Sequence, residues 1–428
     1  MSEIPRKDRT ILSYGHLQKS ASIKVALKNG AYRGLEKALR LPPDELIETV
    51  TKSGLRGRGG AGYPTGVKWS FMPKNPTKER PNFLIANADE GEPGTFKDRE
   101  IIRKVPHKLI EGICIAAYAI RANRCYIYLR GEFQDEYDIL SNALNEAREA
   151  GYIGNNILNS GFSCEIIVHR GAGAYICGEE TALIDSLEGK RGHPRMRPPF
   201  PAQSGVFGMP TTVNNVETLA AVPWIIENGS DAYRKWGTEK SPGTKIFSIS
   251  GHVNKPGCYE CSLGTPLREL IEIAGGMRNG NNFKACFPGG SSCPLLSSEH
   301  IDIPFDYESL ALTGSMLGSG GLIVMDETAD LIKIMARVAK FYAHESCGKC
   351  TPCHQGTWWM AKIFDRIIGC GAENDDPQNL LEIAKNIFGN CFCPLGDAAA
   401  GPVISLVERF PQEFNRYMKS EVAVSADS

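Results

Sequence analysis

The first part of the chain alternates short β-branched or aromatic runs with longer segments of helical spacing. Such runs lie at Asn82–Ala88, Arg124–Leu129 and Cys164–His169, and the segment Asp135–Ala150 carries apolar residues at three- and four-residue steps. Strand, helix and strand in that order indicate parallel pairing. The fold class predicted for residues 1–240 is therefore an α/β layer with a parallel sheet.

A second pattern begins near residue 241, where glycine-rich turns separate short strands. The segment Lys245–Val253 is predicted to be a strand that enters a turn. The segment Pro266–Ala274 has proline at a helix start and two glycines directly after its end, which predicts one helix. Strands with a single helix in so short a stretch predict a β-grasp-like domain over residues 241–327.

The third pattern, over residues 328–428, is helical. Four segments carry apolar residues at the three- and four-residue steps of an amphipathic helix. They are Asp330–Ser346, Thr357–Gly369, Gln378–Phe388 and Ile404–Met418. Four helices of this length predict a C-terminal four-helix bundle. Within the first domain, the proline-rich segment Gly192–Pro201 is predicted to be irregular and long enough to cover a functional site.

Composition excludes several classes of protein. Hydrophobic residues make up 42% and charged residues 23%, which is typical of globular proteins rather than disordered or fibrous ones. The 48 basic and 49 acidic residues leave a net charge of -1, which opposes nucleic-acid binding. The longest apolar stretch, Leu109–Ile120, is too short for a membrane span and is predicted to be a buried helix. No signal peptide is recognisable, so we expect a cytosolic location.

The 14 cysteines are expected to be ligands or buried residues rather than disulfides in that compartment. Cys347, Cys350 and Cys353 are spaced by three residues, which suits three thiolates on one tetranuclear cluster, and the fourth comes from Cys391 or Cys393. Zinc held by Cys347, Cys350, Cys391 and Cys393 is the rival interpretation, and buried apolar cysteines are the third.

The remaining cysteines are predicted to have structural roles. The pair Cys258 and Cys261 and the pair Cys286 and Cys293 lack partners at metal-binding spacing, although these pairs could also bond to each other. Five more cysteines are predicted to lie in the interior. They are Cys114, Cys125, Cys164, Cys177 and Cys370.

Two glycine loops indicate a nucleotide site. In residues 56–69 the glycines match G-x-G-x-x-G, but a predicted helix precedes them where the dinucleotide fingerprint needs a strand. Backbone amides beside Arg56, Arg58 and Lys68 suit a phosphate, and Tyr63, Trp69 and Phe71 offer faces for stacking. A plain flexible loop is the alternative. The second loop, residues 171–180, joins a predicted strand to a predicted helix, where α/β proteins bind phosphorylated ligands.

Polar residues follow the predicted strands. Asn87 and Asp89 lie at the carboxyl end of a strand, where ligands bind in α/β folds. Glu179 and Glu180 either complement a helix dipole or bind ribityl or ribose hydroxyls. Asn214 and Asn215 either contact polar atoms of a ring or cap a helix.

Six motifs occur in an order that resembles one family. They are GRGGAGYPTGVKW, NADEGEPGT, GAGAYICGEETAL, VNNVET, ESCGKCTPC and CPLGD. The chain resembles the NADH-binding flavoprotein subunits of respiratory complex I, the NADH:quinone oxidoreductase. The resemblance implies a modified Rossmann-like FMN and NADH domain, a ubiquitin-like β-grasp domain, and a helical bundle with one [4Fe-4S] cluster.

The resemblance also implies roles for individual residues. Those implied to contact FMN are Arg58, Lys68, Asn87, Asp89, Gly178, Glu179, Asn214, Asn215 and Thr218, with Gly57 and Val213 in the same cofactor site. Those implied to line the NADH site are Gly59, Gly60, Ala61, Tyr63, Phe71, Glu92, Glu180 and Phe200, with Tyr175 near both ligands. The implied cluster ligands are Cys347, Cys350, Cys353 and Cys393.

The implied reaction is hydride transfer from NADH to FMN, followed by single-electron transfer to the cluster and onward to quinone. The flavin supplies the chemistry, so no side chain acts as acid or base. Glu92 and Glu180 are expected to orient the nicotinamide end and to disfavour a negatively charged product state.

The implied partners are a small thioredoxin-like [2Fe-2S] subunit and a large iron–sulfur subunit. The implied complex as a whole is bound to the membrane, and this chain is expected to be cytoplasmic and peripheral on the cytosolic face as one of its subunits. A diaphorase subunit of a soluble NAD-reducing hydrogenase or of an NAD-dependent formate dehydrogenase is the alternative function. A zinc-stapled nucleotide-binding scaffold without catalysis is the second alternative.

Overall fold

A four-stranded parallel sheet forms the centre of the first part of the chain in the computed structural model, which describes residues 5 and 8–418. The strands are β1 Asn82–Ala88, β2 Ala122–Leu129, β3 Glu165–Arg170 and β4 Thr211–Asn215. Their order is β3-β2-β1-β4, and all neighbours pair in parallel. The parallel layer predicted from the alternating runs is confirmed.

Helices cover this sheet. They are α1 Ile23–Lys28, α2 Arg33–Ala38, α3 Pro43–Ser53, α4 Thr65–Ser70, α5 Lys97–Lys104, α6 Pro106–Ala119, α7 Gln134–Glu149, α8 Glu180–Leu187, α9 Val216–Asn228 and α10 Ser230–Tyr233. Helix α6 is buried along nearly its whole length and packs against α9. It has no solvent-facing polar side, because its polar residues His107, Lys108 and Glu111 are themselves buried and hydrogen-bonded within the protein. The prediction of a buried helix at this position is confirmed.

The segment before α1 is tied to the second part of the chain by one buried carboxylate. Glu260 accepts hydrogen bonds from the backbone amides of Thr10 (2.7 Å), Ile11 (3.1 Å) and Leu12 (2.7 Å), and from the Thr10 hydroxyl (2.8 Å). The hydroxyl of Thr244 adds another at 2.9 Å. These bonds satisfy backbone amides that no regular element would otherwise pair.

A mixed five-stranded sheet follows. Its strands are β5 Thr244–Gly251, β6 Gly257–Ser262, β7 Phe283–Phe287, β8 Leu296–Ser297 and β9 Gly321–Asp326, and its helices are α11 Leu267–Ile273 and α12 Tyr307–Leu312. The order is β6-β5-β9-β7-β8. Strands β5 and β9 pair in parallel, and the other neighbours are antiparallel.

A buried ion-pair network joins helices α5 and α9, beside the first sheet, to strand β5 of the second sheet. Glu217 of α9 accepts hydrogen bonds from Lys245 of β5 (2.7 Å) and the Ile246 amide (2.8 Å), and its carboxylate lies 3.0 Å from the ammonium of Lys97. The three charged side chains are almost wholly buried. Removal of one partner would leave an uncompensated charge in the interior, so the network fixes the junction in one arrangement.

Four long helices make up the C-terminal part. They are α13 Leu331–Glu345, α14 Thr351–Arg366, α15 Asp376–Ile387 and α16 Leu395–Arg409. The predicted helix over Ile404–Met418 is wrong at both ends, because α16 begins nine residues earlier and ends at Arg409. Pro411 then starts a 3-10 turn, Pro411–Arg416, since proline cannot continue the helical hydrogen bonding.

Short turns link the other elements. The 3-10 turns are Ile157–Asn159, Tyr175–Gly178, Val206–Gly208, Arg278–Gly280 and Ser298–His300, and a π turn spans Ile367–Gly371. In the described part of the chain, no helix combines the length and apolarity needed to cross a bilayer.

The cysteines are free thiols in the structure. Cys261, Cys286 and Cys293 are buried, in keeping with the structural role predicted for them. The prediction that Cys370 lies in the interior is wrong, because this residue is exposed. It lies in the π turn after α14 with φ of 63°, where the chain leaves the helix and turns outward.

Candidate functional site

The carboxyl edge of the parallel sheet holds Asn87 and Asp89, as predicted from their position after β1. The Asn87 amide donates to the Gly178 carbonyl at 2.9 Å, and its oxygen accepts from the Asp89 amide at 3.0 Å. Asp89 Oδ2 is buried and has no hydrogen-bond partner. Burial raises the pKa of this carboxyl to about 7, although the charge of Arg130 opposes the rise. This oxygen is therefore an unused acceptor at the ligand-binding edge of the sheet.

The glycine-rich loop between α3 and α4 approaches the start of α9. The amide of Arg58 donates to the hydroxyl of Thr218 at 2.8 Å. Gly59 lies so close to Asn215 that an added Cβ would come within 3.2 Å of the Asn215 Cβ. At Gly60 an added Cβ would meet nothing within 4 Å, and φ is +153°. The loop backbone is thus fixed on one side and open on the other, where a ligand can approach closely.

The arginines of this loop do not face that open side, contrary to the prediction of free cations for a phosphate. The Arg58 guanidinium is buried, and it donates to the Tyr233 hydroxyl (3.0 Å) and the Pro242 carbonyl (3.2 Å). Arg56 pairs with Glu308 at 2.5 Å. Both side chains turn away from the open side of the loop because they find acceptors elsewhere, Arg58 on Tyr233 and Pro242 and Arg56 on the half-buried Glu308.

Lys68 on α4 is held at the end of β4. Its ammonium donates to Glu180 Oε2 at 2.6 Å and to the Val213 carbonyl at 2.8 Å. Arg197 lies 3.2 Å from the other carboxylate oxygen of Glu180. The structure therefore brings together the predicted residues Lys68, Val213 and Glu180, and it adds Arg197, which was not predicted.

Glu179 is engaged by the protein itself. One carboxylate oxygen accepts from the amides of Thr181 (3.0 Å) and Ala182 (2.9 Å) and so caps the N-terminus of α8. The other oxygen accepts from Arg197 at 2.5 Å. Of the two interpretations left open for Glu179, this structure shows the helix-capping one.

The two asparagines of the VNNVET motif have different partners. The Asn214 oxygen accepts from the indole N–H of Trp69 at 2.9 Å. The Asn215 oxygen caps α9 and accepts from Lys97 at 3.1 Å, and its amide donates to Asp98 at 2.7 Å. Both side chains are therefore oriented by fixed partners, and each keeps at least one amide hydrogen for a ligand.

Glu92 lies where three parts of the chain meet. It accepts from the Tyr175 hydroxyl (2.6 Å), the Ser292 amide (2.9 Å) and the Ser291 hydroxyl (3.4 Å). The Tyr342 hydroxyl of α13 lies 3.2 Å from the Ser291 hydroxyl. Burial raises the pKa of Glu92 above its ordinary value, with the hydrogen bonds from Tyr175 and Ser292 opposing the rise. Sequence alone carried no signal for the part played by Ser291 and Ser292.

Two of the three predicted stacking residues, Tyr63 and Phe71, are open to solvent, as is Phe200, whereas the prediction for Trp69 is wrong because its ring is buried and its indole N–H is bound to Asn214. Tyr63 is 49%, Phe71 58% and Phe200 53% exposed, while Trp69 is fully buried. Ala61 is also exposed. Aromatic rings held on loops with a free face can stack against a flat ligand.

Four of the five clustered cysteines line a small, partly open cavity at the start of α14. The cavity is lined by Pro194, Ser346, Cys347, Lys349, Cys350, Cys353, Phe392, Cys393 and Leu395. Cys391 lies outside this lining and hydrogen-bonds the Ile387 carbonyl. Among the described residues, no three His, Cys, Asp or Glu side chains meet closely enough to hold a single metal ion. The thiols lie around a space instead, an arrangement that suits a polynuclear cluster.

The proline-rich segment reaches both sites, and we call residues 192–201 the strap. Near its start, the His193 ring lies 3.3 Å from the Cys347 carbonyl. Near its end, Arg197 pairs with Glu180. The predicted cover is therefore a shared wall between the sheet edge and the cysteine cavity, and Arg197 in this run was the sequence feature that could have indicated its contact with Glu180.

Three family models match the chain. The Nuo51 FMN-binding domain matches residues 50–224, the SLBB domain matches residues 246–296, and the NADH-ubiquinone oxidoreductase-F iron-sulfur binding region matches residues 333–417. The glycine loop, the sheet edge and the VNNVET motif fall in the first match, and the clustered cysteines fall in the third.

Curated relatives cover most of the chain. The NADH-quinone oxidoreductase F subunit of Mycobacterium tuberculosis is 54% identical over 90% of this chain and 86% of its own length. The Rickettsia massiliae protein of the same name is 51% identical over 97% of this chain and 99% of its own length. A crystal structure of an NAD+-reducing [NiFe]-hydrogenase matches with a TM-score of 0.82 and 39% identity. It covers 91% of this chain, which in turn spans 65% of the hydrogenase chain.

Proposed function

The chain belongs to the family of NADH-quinone oxidoreductase F subunits, and from that premise we propose how its residues divide the work. It is an NADH-dependent oxidoreductase subunit with an FMN-binding domain and a 4Fe-4S binding region. The observation that carries the assignment of residues is the strap, because one short segment contacts both the sheet edge and the cysteine cavity. A flavin at that edge and a cluster in that cavity are then neighbours.

The sheet edge fits FMN. Asp89 offers a buried, unpartnered oxygen to a ribityl hydroxyl, and the open backbone beside Gly60 offers amides to a phosphate. The Arg58 guanidinium takes no part in these contacts, because it donates to the Tyr233 hydroxyl instead. The residues proposed to hold FMN are Gly57, the Arg58 backbone, Lys68, Asn87, Asp89, Gly178, Glu179, Val213, Asn214, Asn215 and Thr218.

The neighbouring surface fits NADH. Tyr63, Phe71 and Phe200 present exposed rings for the adenine end. Glu92 and Glu180 orient the nicotinamide end, each held by a fixed hydrogen-bond partner. The other residues proposed to line this site are Gly59, Gly60, Ala61 and Tyr175.

The cavity fits a [4Fe-4S] cluster with Cys347, Cys350, Cys353 and Cys393 as ligands. Four thiols supply the donor set that such a cluster requires, and Pro194 and Leu395 help close the cavity. Burial raises the pKa of Cys393 to about 12, and a coordinated metal reverses that effect by deprotonating the thiol.

Held by the residues of the sheet edge, FMN would supply the hydride-accepting and single-electron chemistry of an NADH-dependent oxidoreductase. The protein's own part is to position and shield. The Lys68–Glu180–Arg197 pairs hold the strap against the start of α8, Glu179 caps α8, and the strap lines the cavity through Pro194. No side chain is required to take or give a proton.

The finer architecture and assembly follow as proposals. The chain divides into an FMN and NADH domain of modified Rossmann type (residues 1–240), a β-grasp domain (241–327) and a cluster-bearing helical bundle (328–428). Its partners are a small [2Fe-2S] subunit and a large iron–sulfur subunit, within a complex on the cytosolic face of the membrane. The names of the relatives support a multi-subunit complex.

The test is an anaerobic visible spectrum before and after NADH, on the wild-type chain and on the matched variants Cys393→Ser and Cys391→Ser. The wild-type chain should show flavin bands and a broad brown absorption, and NADH should bleach both. Cys393→Ser should lose the brown absorption and keep the flavin, while Cys391→Ser should keep both. A colourless wild-type protein with stoichiometric zinc would overturn the proposal. Loss of the brown absorption in Cys391→Ser but not in Cys393→Ser would show that Cys391, and not Cys393, is the fourth ligand.

A diaphorase of an NAD+-reducing hydrogenase is the second candidate function. The similarity to a hydrogenase chain at 39% identity supports it, but the NADH-quinone oxidoreductase relatives are 51–54% identical. Co-purification with a hydrogenase subunit instead of NADH-quinone oxidoreductase subunits would favour this alternative.

A further inference from the structure

Tyr175 is clamped between the sheet edge and the C-terminal helices. Its backbone amide donates to Glu345 Oε2 at 3.1 Å, and its hydroxyl donates to Glu92 Oε2 at 2.6 Å. Its ring meets Phe341 and Tyr342 edge-on, with centroids 5.2 and 6.0 Å apart. Three residues of α13 therefore contact this one residue of the proposed FMN and NADH domain.

The contact to Glu345 satisfies a backbone group that has no partner inside its own element. Tyr175 is the first residue of the 3-10 turn Tyr175–Gly178, and the first amides of a helical turn lack internal acceptors. A carboxylate is the strongest ordinary acceptor for such an amide. The Glu345 side chain is only 17% exposed, so its bond is shielded from competing water.

Glu345 also ends α13, directly before the cysteine loop that begins at Ser346. The same short stretch thus positions the Cys347 side of the cavity and the Tyr175 turn. We propose that Glu345 is a positioning residue for the nucleotide site, which it serves by fixing the Tyr175 turn so that the Tyr175 hydroxyl stays on Glu92. This inference rests on the proposed function, because it assumes that Glu92 and Tyr175 face the nucleotide.

The test compares two variants of the same size in the cofactor-loaded chain. Glu345→Met keeps the volume and removes the acceptor, whereas Glu345→Gln keeps an acceptor oxygen and removes the charge. The matched control is Glu382→Met on α15, an exposed acid remote from Tyr175 in sequence. FMN and iron contents confirm that each variant is assembled.

Two readouts separate positioning from simple stabilisation. The first is the dissociation constant of NAD+, which should rise about tenfold in Glu345→Met, stay within about threefold in Glu345→Gln and be unchanged in the control. The KM for NADH should rise with kcat unchanged, as expected for lost binding rather than lost chemistry. The second is hydrogen exchange of the Tyr175 amide, which should accelerate in Glu345→Met alone.

The inference is overturned if Glu345→Met binds NAD+ like the wild type, or if Glu345→Gln is as weak as Glu345→Met. If Glu345→Met does not assemble, exchange in the wild-type chain decides, because an unprotected Tyr175 amide refutes the bond. A wild-type chain that binds no NAD+ overturns the proposed function instead, and the exchange measurement still shows whether Glu345 holds the Tyr175 turn.

Discussion

Replacement of Glu260 by glutamine should release the segment that precedes α1. The wild-type carboxylate takes its short bonds on both oxygens, with Thr10 on Oε1 and Leu12 on Oε2. Glutamine can keep the hydrogen bonds to its one oxygen, but its NH2 group then lies opposite the Leu12 amide. Both groups are donors, so the Leu12 amide loses its acceptor. The charge that strengthened the remaining bonds is also lost.

The cost follows from these contacts. One buried amide left without an acceptor costs about 1–3 kcal/mol, and each bond moved from a charged to a neutral acceptor loses about 1 kcal/mol. Because the segment can relax, we expect a local opening free energy lowered by about 3 kcal/mol. Hydrogen exchange at the Ile11 and Leu12 amides should then accelerate about 100-fold.

Hydrogen exchange with mass spectrometry on the N-terminal peptide measures this directly. The control is Glu272→Gln, an exposed position on α11, where the substitution should change nothing. Protection of Ile11 and Leu12 that is unchanged in a correctly folded Glu260→Gln chain would refute the reasoning. It would show that apolar packing of the two side chains, both nearly buried, holds the segment by itself.

Two further predictions concern the sheet edge. Glu92→Gln removes a negative charge that is proposed to face the cationic nicotinamide ring of NAD+, so the dissociation constant of NAD+ should rise about tenfold. Equilibrium dialysis measures this constant, and retained FMN shows that the variant is still assembled. An unchanged affinity for NAD+ would contradict the role assigned to Glu92. For Asp89, a pKa of about 7 against an ordinary 3.8 means that the folded chain binds more protons than the unfolded chain between these pH values. Stability of the FMN-free wild-type chain should therefore fall as pH rises through this window, and Asp89→Asn should be more stable by about 4 kcal/mol at pH 8 with little advantage near pH 4. Parallel urea curves for both proteins at every pH would show that Asp89 does not titrate in this way.

Three of the four strands of the parallel sheet were predictable because they are short runs rich in apolar and β-branched residues, whereas β4, Thr211–Asn215, is polar and was not predicted as a strand. Asn82–Ala88 is the same range in the sequence pattern and in β1. Asn87 and Asp89 could be placed with equal ease, since a residue that follows a parallel strand must lie at its carboxyl edge. For the strand and for the two residues that follow it, the neighbouring sequence alone was enough for the prediction.

The side-chain orientations that could not be predicted depend on partners that are distant in the sequence. The Arg58 guanidinium turns away from the glycine loop because Tyr233 and Pro242, distant in sequence, offer it acceptors. The choice between Cys391 and Cys393 depends on how α16 begins, and the apolar pattern indicates that helix only from Ile404 onward. The contact of Glu345 with the Tyr175 amide could not be predicted from the sequence. An acidic residue near a helix end is common, and the two residues are 170 positions apart.

The strap has a consequence for how the protein is made. His193 and the Cys347 carbonyl that it contacts are 154 residues apart, and at about 5–20 residues per second the ribosome needs roughly 8–30 s to synthesise that interval. The strap and the parallel sheet beside it are therefore synthesised before the first of the clustered cysteines. One wall of the cavity can be in place when the cysteine loop closes on it, and the lining is complete only once the chain has been made as far as Leu395.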